Sequence, residues 1–518
     1  MGNNRFINGE FVKGTEGKTF ETINPHDEKP IVSVHEGTEK DVDIAVDVAR
    51  KALEGEWKQV TPSERGRLLT RLADFLERDI ETVAAIEALD NGKGVTMAKG
   101  DVKAAAGCIR YYGGWADKIY GQTIDTDPGS LTYTRHEPVG VCGQIIPWNF
   151  PLLMFAWKIG PALATGNTVV LKSAEQTPLS ALYMASLIKE AGFPPGVVNV
   201  ISGFGKTAGA AIASHMGIDK VAFTGSTLVG RQILKAAANS NLKKVTLELG
   251  GKSPNIILPD ANLEEAIGWV NLGIFFNHGQ CCCAGSRILV HESIYDRFLE
   301  LFKKRAEENR VGDPFHPETF QGPQVSQLQY DRIMGYIEDG KRSGAKVITG
   351  GDRHGNEGYY IQPTIFADVD EDMAIVKEEI FGPVCTVQKV RDEEEAIRVA
   401  NETNYGKKTA VKNTLEIVQL IYFRSCCGCS YNEYQYCNPS VECNQGWVRC
   451  FFTSTRGIKL NVWLTNINRT VWVNNYNTLH YQMPFGGFKE SGIGRELGSY
   501  ALENYTEVKT VRVHLSQS

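Results

Sequence analysis

The spacing of apolar residues predicts several helices. In the first, apolar positions recur at helical spacing behind Thr38 and Asp41, a polar pair typical of a helix N-terminus. Near Thr61, a proline at the first helical position marks another start. The pattern predicts amphipathic helices over 38–54, from Thr61 onward, over 178–191 and over 228–238.

Short apolar runs alternate with these helices. The runs at 168–171, 197–201 and 220–224 have the length and composition of buried strands. Because strands that alternate with helices form parallel sheets, the predicted fold class is α/β with an open parallel sheet. Residues 123–134 alternate at period two around Asp-Pro-Gly-Ser, which predicts a hairpin.

Length, composition and charge are those of an ordinary globular protein. A chain of 518 residues predicts about three domains. Nucleic-acid-binding proteins usually carry a basic surface. This chain has a net charge of −6 and a pI near 6.0, so no nucleic-acid partner is expected. The sequence has neither an apolar run of membrane-spanning length nor a targeting signal at its start, so we expect a cytoplasmic protein with no membrane partner.

The 12 cysteines are unevenly distributed. Three of them are consecutive, Cys281, Cys282 and Cys283, between a glycine and small residues where backbone amides can approach a bound oxygen. In a chain without a secretion signal, such thiols are reactive centres, metal ligands or buried apolar residues. Six more lie between Cys426 and Cys450.

Two other peptides carry the chemistry that a nucleophilic thiol needs. Glu248 lies among apolar residues in 245–255, which favours a raised pKa and a role as base; a surface glutamate at a strand edge is the alternative. Asn149 lies in a proline-bounded turn at 143–151, which aims one amide donor rigidly; ordinary turn chemistry is the alternative. A cysteine–histidine hydrolase competes with this interpretation, since His278 precedes the thiols, but no Asn or Asp context orients that histidine.

The three peptides together resemble the aldehyde dehydrogenase family, and within it the cytosolic-type fungal enzymes. The resemblance covers most of the chain outside 407–469. It implies oxidation of an aldehyde to a carboxylic acid with NAD and without a metal. By this resemblance Cys282 is the nucleophile, Glu248 the general base, and Asn149 with the Cys282 amide the oxyanion hole, while the flanking thiols are structural.

The resemblance also implies an architecture: a Rossmann-type cofactor domain, an α/β catalytic domain and a small β oligomerisation arm. The predicted boundaries are 1–249 for the cofactor domain, interrupted by an oligomerisation hairpin at 121–137, and 250–478 for the catalytic domain. Residues 479–518 are predicted to line the substrate tunnel and to serve oligomerisation. Pairing of the hairpin with 505–514 would form the surface of a homo-oligomer, expected to be a homotetramer built as a dimer of dimers.

Two glycine-rich turns are candidates for binding the cofactor phosphates. The stretch from Gly203 to Gly209 has only part of a dinucleotide fingerprint. The turn at 223–230 is the better candidate, because Gly225 and Ser226 would open a helix whose N-terminus can hold pyrophosphate.

The resemblance assigns further residues to the cofactor and the substrate, with ordinary loop or core positions as the alternative for each. Lys172 and Glu175 match contacts to the adenine ribose, and a carboxylate there repels the 2′-phosphate of NADP, which favours NAD. The nicotinamide end of the cleft is assigned to Ile146, Trp148, Glu379 and Phe381. An apolar tunnel for aliphatic or aromatic aldehydes is assigned to Phe150, Met154, Trp157, Phe276, Leu479 and Phe485.

The resemblance is interrupted over 407–469. This segment holds six cysteines, eight basic and three acidic residues, and it is longer than the family's connection. One interpretation is a zinc-binding insertion, although paired C-x-x-C knuckles are absent. Another is a retained intron or shifted reading frame, since recognisable sequence resumes at Thr470. A non-catalytic or inactive protein on the same fold is the remaining alternative to an enzyme.

Overall fold

The computed structural model describes residues 4–403, 405, 421–423 and 472–515. Both interpretations of 407–469, as a zinc-binding insertion and as an artefact of the gene sequence, concern side chains that lie outside the described residues. In the part of the chain that is described, no helix is both long and apolar enough to cross a bilayer.

The first sheet contains the predicted parallel core. Its strands in spatial order are β19 (Gly492–Ile493), β11 (Lys244–Glu248), β10 (Lys220–Thr224), β7 (Val141–Ile145), β8 (Thr168–Ser173), β9 (Val198–Ser202), β1 (Arg5–Ile7) and β2 (Glu10–Val12). Neighbours from β11 to β9 are parallel, whereas β1, β2 and β19 join antiparallel. The predicted runs at 168–171, 197–201 and 220–224 are therefore strands, and the predicted α/β class is confirmed.

Chain order reverses between β7 and β10, and this reversal positions the site. Strands β8 and β9 extend the sheet on one side of β7, while β10 and β11 extend it on the other. In open parallel sheets a ligand crevice lies beyond the carboxyl ends of the strands at such a switch point. The loops that follow β7, β10 and β11 carry Asn149, Gly225 and the residues after Glu248.

Helices cover both faces of the first sheet, and further helices follow along the chain. The α-helices of the described chain are α1 (Glu39–Glu54), α2 (Glu56–Gln59), α3 (Pro62–Arg78), α4 (Ile80–Asn91), α5 (Val95–Trp115), α6 (Pro151–Ala164), α7 (Leu179–Ala191), α8 (Ala210–Ser214), α9 (Thr227–Ala238), α10 (Leu263–Phe275), α11 (Tyr295–Glu307), α12 (Gln327–Arg342), α13 (Ala374–Lys377), α14 (Glu393–Ala400) and α15 (Tyr500–Glu503). Alternate residues of β8 explain the two layers. Val169 and Leu171 join the core formed with α3, α5, α6 and α7, while Val170 joins the core formed with α1, α8 and α9.

The predicted helix starts are observed with their polar caps. Helix α1 begins after Thr38, whose backbone N–H donates to Asp41 Oδ2 at 2.8 Å. Helix α3 begins at Pro62, and the Thr61 hydroxyl accepts from Glu64 N at 3.3 Å. These bonds satisfy donors that the first turn of a helix otherwise leaves free.

A second sheet follows the first along the chain. Its strands in spatial order are β14 (Lys346–Thr349), β15 (Thr364–Ala367), β16 (Val384–Val390), β13 (Arg287–His291), β12 (Pro254–Ile257), β17 (Ile421–Phe423) and β18 (Trp472–Val473). All neighbouring pairs are parallel except β14 with β15. The thiols lie between α10 and β13, so this sheet holds the peptide that carries them.

Two small sheets complete the described fold. Strand β6 (Ser130–Pro138) pairs with β5 (Thr123–Ile124) across the predicted hairpin turn, and with β20 (Thr506–His514) over its whole length. Strands β3 (Thr19–Ile23) and β4 (Pro30–His35) form the other. The predicted domain boundaries stay predictions, and β19 shows that part of the segment 479–518 belongs to the first sheet.

Candidate active site

The thiol loop begins with a left-handed turn. Asn277, His278 and Gly279 have φ values of 49°, 60° and 71°. A Cβ at Gly279 would lie 2.0 Å from the backbone oxygen of Gly382, so only glycine allows this close approach. Beyond the turn, Cys281 and Cys283 are buried, while Cys282 is partly exposed.

The three thiols interact with one another. The sulfurs of Cys281 and Cys283 are 3.3 Å apart. Hydrogen bonds from the two neighbouring thiols lower the pKa of Cys281, and donating to Cys281 raises the pKa of Cys282. Cys282 is therefore protonated at neutral pH in this arrangement, and it needs a base before it can act as a nucleophile.

Asn149 is tied to the thiol loop. Its Nδ2 donates to the Gln280 carbonyl at 3.0 Å, and its own carbonyl accepts from Asn277 Nδ2 at 2.9 Å. Because a primary amide has two N–H groups, the bond to Gln280 orients the side chain and still allows it to donate to a ligand. Only 5% of Asn149 is exposed.

Glu248 ends β11 at the same crevice. Its backbone carbonyl accepts from Gly225 N at 3.0 Å, so it touches the turn that follows β10. A Cβ at Gly486 would lie 2.7 Å from Glu248 Oε1, which shows that a glycine makes room for the carboxylate. The peptide 245–255, which carries Glu248, also approaches the thiol loop. A Cβ at Gly251 in this peptide would lie 3.2 Å from the Cys282 carbonyl oxygen.

The predicted nicotinamide residues lie around this junction. Glu379 Oε1 accepts from Gly251 N at 3.1 Å, and burial raises the pKa of Glu379 to about 7. Phe381 has a left-handed φ of 61°, and its ring meets the ring of Trp148 edge to face at 5.3 Å. Ile146 is buried at the end of β7, where its N–H donates to the Lys172 carbonyl at 3.1 Å.

The turn after β10 has the geometry of an anion site. Ser226 is the N-cap of α9, and its hydroxyl accepts from Val229 N at 3.4 Å. A Cβ at Gly225 would lie 2.5 Å from the ring of Phe223, so a larger residue would not fit. The N-terminus of this 12-residue helix is exposed, which suits the binding of a phosphate group.

The predicted adenine-ribose pair lies at the end of β8. Lys172 is buried, its Nζ donates to the Ser173 and Gly203 carbonyls at 2.7 Å, and burial lowers its pKa. Glu175 lies 3.5 Å from that Nζ and is partly exposed. Within the weaker fingerprint candidate, Gly203 to Gly209, residues Gly205–Gly209 form a short π-helical turn after β9.

Most of the predicted tunnel residues pack in one cluster beside the thiol. Phe150 and Phe276 stack at 5.9 Å, and Trp157 meets Phe485 at 5.4 Å. Met154 belongs to the same cluster, against which Cys282 packs. Leu479 is different, since 37% of it is exposed.

His278 has the wrong properties for a catalytic base. It is fully buried, and its Nδ1 lies 3.4 Å from Gln280 Nε2. Burial and the nearby ammonium of Lys93 lower the pKa of His278 to about 3. A histidine this weak does not take a proton from a thiol efficiently at neutral pH.

Several residues that organise the site were missed by the sequence interpretation. Asn277 and Gln280 orient Asn149. From helix α12, Gln329 donates to the Phe381 carbonyl at 2.8 Å and Arg332 to the Glu379 carbonyl at 2.9 Å. Only the placement of Asn277 and Gln280 next to the thiols was a usable signal, because polar residues of α12 look like an ordinary helix surface.

Comparison with known proteins gives one consistent picture. The aldehyde dehydrogenase family matches residues 11–447 and 460–511. An aldehyde dehydrogenase of Emericella nidulans is 65% identical over 515 residues, which are 99% of this chain and 95% of the relative. A mitochondrial aldehyde dehydrogenase of Homo sapiens is 51% identical over 518 residues, 99% of this chain and 92% of the relative.

Solved structures agree with the sequence relatives. The NAD+ complex of an aldehyde dehydrogenase from Bacillus cereus is 49% identical with a TM-score of 0.89, covering 99% of this chain and 96% of that one. The resemblance stated from three short peptides, and the fold that it implied, are both confirmed. This chain belongs to the aldehyde dehydrogenase family.

Proposed function

We propose that this chain oxidises aldehydes to carboxylic acids with NAD, and that Cys282, Glu248 and Asn149 perform the chemistry. The activity and the cofactor follow from family membership. The three residue roles are proposals that rest on the geometry of the site.

One observation supports these roles most strongly: the peptides that carry Asn149 and Glu248, far apart in sequence, both contact the loop that carries the partly exposed Cys282. Asn149 donates to Gln280, two residues before Cys282. The Glu248 peptide reaches the Cys282 backbone through Gly251. The adjacency of these peptides at the switch point of the sheet supports the proposed roles of Glu248 as base, Cys282 as nucleophile and Asn149 as amide donor.

The proposed mechanism begins with transfer of the Cys282 proton to Glu248, since the raised pKa of Cys282 keeps the thiol protonated. The thiolate sulfur then bonds to the aldehyde carbon, and the developing oxyanion accepts from Asn149 and from the backbone N–H of Cys282. NAD, when bound, supplies the hydride acceptor. As the oxyanion re-forms its carbonyl, hydride leaves the carbon and a thioester on Cys282 remains, while Glu248 releases the thiol proton to solvent. Glu248 can then take a proton from water, which attacks the thioester, and return that proton to the leaving Cys282 sulfur as the acid is released.

The residues of the cleft fit a dinucleotide. The exposed N-terminus of α9 faces the crevice with Ser226 as its cap, which would suit pyrophosphate. Glu175 would accept from the hydroxyls of the adenine ribose, and Glu379 and Phe381 would hold the nicotinamide end. The carboxylate of Glu175 disfavours a 2′-phosphate, and this supports a preference for NAD over NADP.

The substrate, the assembly and the compartment are further proposals. The apolar cluster around Phe150 and Trp157 favours aliphatic or aromatic aldehydes. The sheet formed by β6 and β20 exposes Leu131, Val508 and Val513, which supports its use in a homotetramer. Light scattering of the purified protein tests the tetramer. We also propose a cytoplasmic protein, which fractionation of the source cells tests.

Production of NADH from a short aldehyde tests the activity. Wild type is compared with Cys282→Ala, and with Cys281→Ala and Cys283→Ala, which identify the nucleophile among the three thiols. Cys108→Ala is the matched control, because Cys108 is a fully buried thiol on α5. We expect Cys282→Ala to lower turnover by several orders of magnitude, and Cys108→Ala to retain it.

Two outcomes would contradict the proposal. Folded wild type without turnover on any aldehyde would favour a non-catalytic protein on the same fold. Loss of activity in Cys281→Ala with full activity in Cys282→Ala would move the nucleophile to the neighbouring thiol. Replacing NAD with NADP in the same assay tests the cofactor preference.

A further inference from the structure

We propose that Asn91 and Glu87, on the last turns of α4, are positioning residues that hold Asn149 in place for the acyl chemistry. This inference rests on the proposed role of Asn149 as an oxyanion donor. Neither residue was a candidate from the sequence, and neither belongs to the peptides that carry the thiols, the base or the amide.

The two residues hold the Asn149 loop on both sides of Asn149. Asn91 Nδ2 donates to the Trp148 carbonyl, one residue before Asn149, at 2.7 Å. Glu87 Oε1 accepts from Leu152 N, three residues after it, at 3.2 Å. Because they are four residues apart on a helix, Glu87 and Asn91 lie on the same face and act as adjacent contacts.

A buried cation completes the arrangement. The ammonium of Lys93 lies 2.6 Å from Asp101 and 3.5 Å from Glu87, with all three side chains buried. It also lies 4.6 Å from the ring centroid of Phe150, which stacks on Phe276. A desolvated cation over an aromatic face is attractive, so the residue after Asn149 is held as well.

The thiol loop holds Asn149 from the opposite side. On that side, Asn277 donates to the Asn149 carbonyl and Asn149 donates to Gln280. The loop is therefore fixed between α4 and the thiol loop, which is what an oxyanion donor requires, because its benefit depends on being in place before charge develops.

A double-mutant cycle between Asn91→Leu and Asn149→Ala tests this coupling. Leu is close in shape to Asn but cannot donate to Trp148. We expect Asn91→Leu to lower kcat for the aldehyde by about tenfold and Asn149→Ala to lower it by about 100- to 1,000-fold. The affinity for NAD, measured by direct binding, should change little in either variant.

The cycle separates positioning from stability. If Asn91 acts through Asn149, the double variant should be within about twofold of Asn149→Ala alone. Asn271→Leu is the matched control, since Asn271 is a buried asparagine whose amide pairs with Asn309 at 2.9 Å. It should lose stability but keep its kcat per folded molecule.

Glu87 provides a second test that does not depend on Asn91. Glu87→Gln and Glu87→Met both remove the charge next to Lys93, but only Gln keeps an acceptor for Leu152 N. We expect kcat to be several-fold higher in Glu87→Gln than in Glu87→Met when both are compared at equal folded concentration.

Three results would overturn this inference. The first is an equal effect of Asn91→Leu on wild type and on Asn149→Ala. The second is equal kcat in the two Glu87 variants. An Asn149→Ala enzyme with full turnover would reject the oxyanion role itself, and with it the positioning role, whereas the first two results leave the proposed function intact.

Discussion

The substitution Gly250→Ala would move one carboxylate of the proposed cofactor site without removing it. Gly250 does not have a positive φ, so alanine fits its backbone. A Cβ there would lie 2.0 Å from Glu379 Oε2, whereas ordinary contact begins near 3.4 Å. The carboxylate must retreat, and the retreat disturbs its 3.1 Å bond from Gly251 N.

The displaced atoms are the end of a flexible side chain, so the stability of the fold should change little. The affinity for the cofactor should fall much more, because the carboxylate leaves its binding position. We expect the free energy of unfolding to fall by less than about 1 kcal/mol. A hydrogen bond to a charged group contributes about 1.5–3 kcal/mol, so losing one ribose contact should raise the Kd for NAD by about 10- to 150-fold.

The assay is equilibrium binding of NAD together with denaturant unfolding. Gly335→Ala is the control, because a Cβ at this position of α12 meets nothing within 4 Å, and the change should slightly stabilise the helix. Glu379→Gln is the reference for a lost carboxylate. Unchanged NAD binding in Gly250→Ala, with weakened binding in Glu379→Gln, would refute the steric argument.

Three other predictions follow from charged groups. Burial raises the pKa of Glu379 to about 7, so the Kd for NAD should rise as pH falls below that value, and this dependence should vanish in Glu379→Gln. Burial lowers the pKa of Lys220 from 10.5 to about 7. The unfolded chain therefore holds more protons between those values, and stability rises with pH across that window. Urea unfolding should show that Lys220→Met stabilises the protein more at neutral pH than at about pH 10; an equal effect at both would contradict this. Glu175→Ala should lower the ratio of the NADP and NAD dissociation constants by about tenfold, and an unchanged ratio would remove Glu175 from cofactor selection.

The mutual geometry of the site residues could not be predicted from the sequence. The resemblance named Cys282 and Asn149, but the bonds that hold Asn149 come from residues up to 131 positions away. Glu379 was assigned to the cofactor, yet its raised pKa arises from burial beside the loop between β11 and β12. These hydrogen bonds and pKa shifts depend on which loops lie next to one another. The order of strands in the first sheet, which reverses between β7 and β10, decides this.

Local chemistry, by contrast, was determined by the sequence alone. Thr38 and Thr61 cap helices because their hydroxyls and the following residues satisfy free backbone donors within one turn. The apolar runs became β8, β9 and β10 because strands of this composition are stable only when both faces are covered. The left-handed turn at Asn277 and the close packing at Gly250 were decided by the tertiary structure. A local sequence pattern predicts neither a left-handed backbone at an asparagine nor the distance to a residue that is remote in sequence.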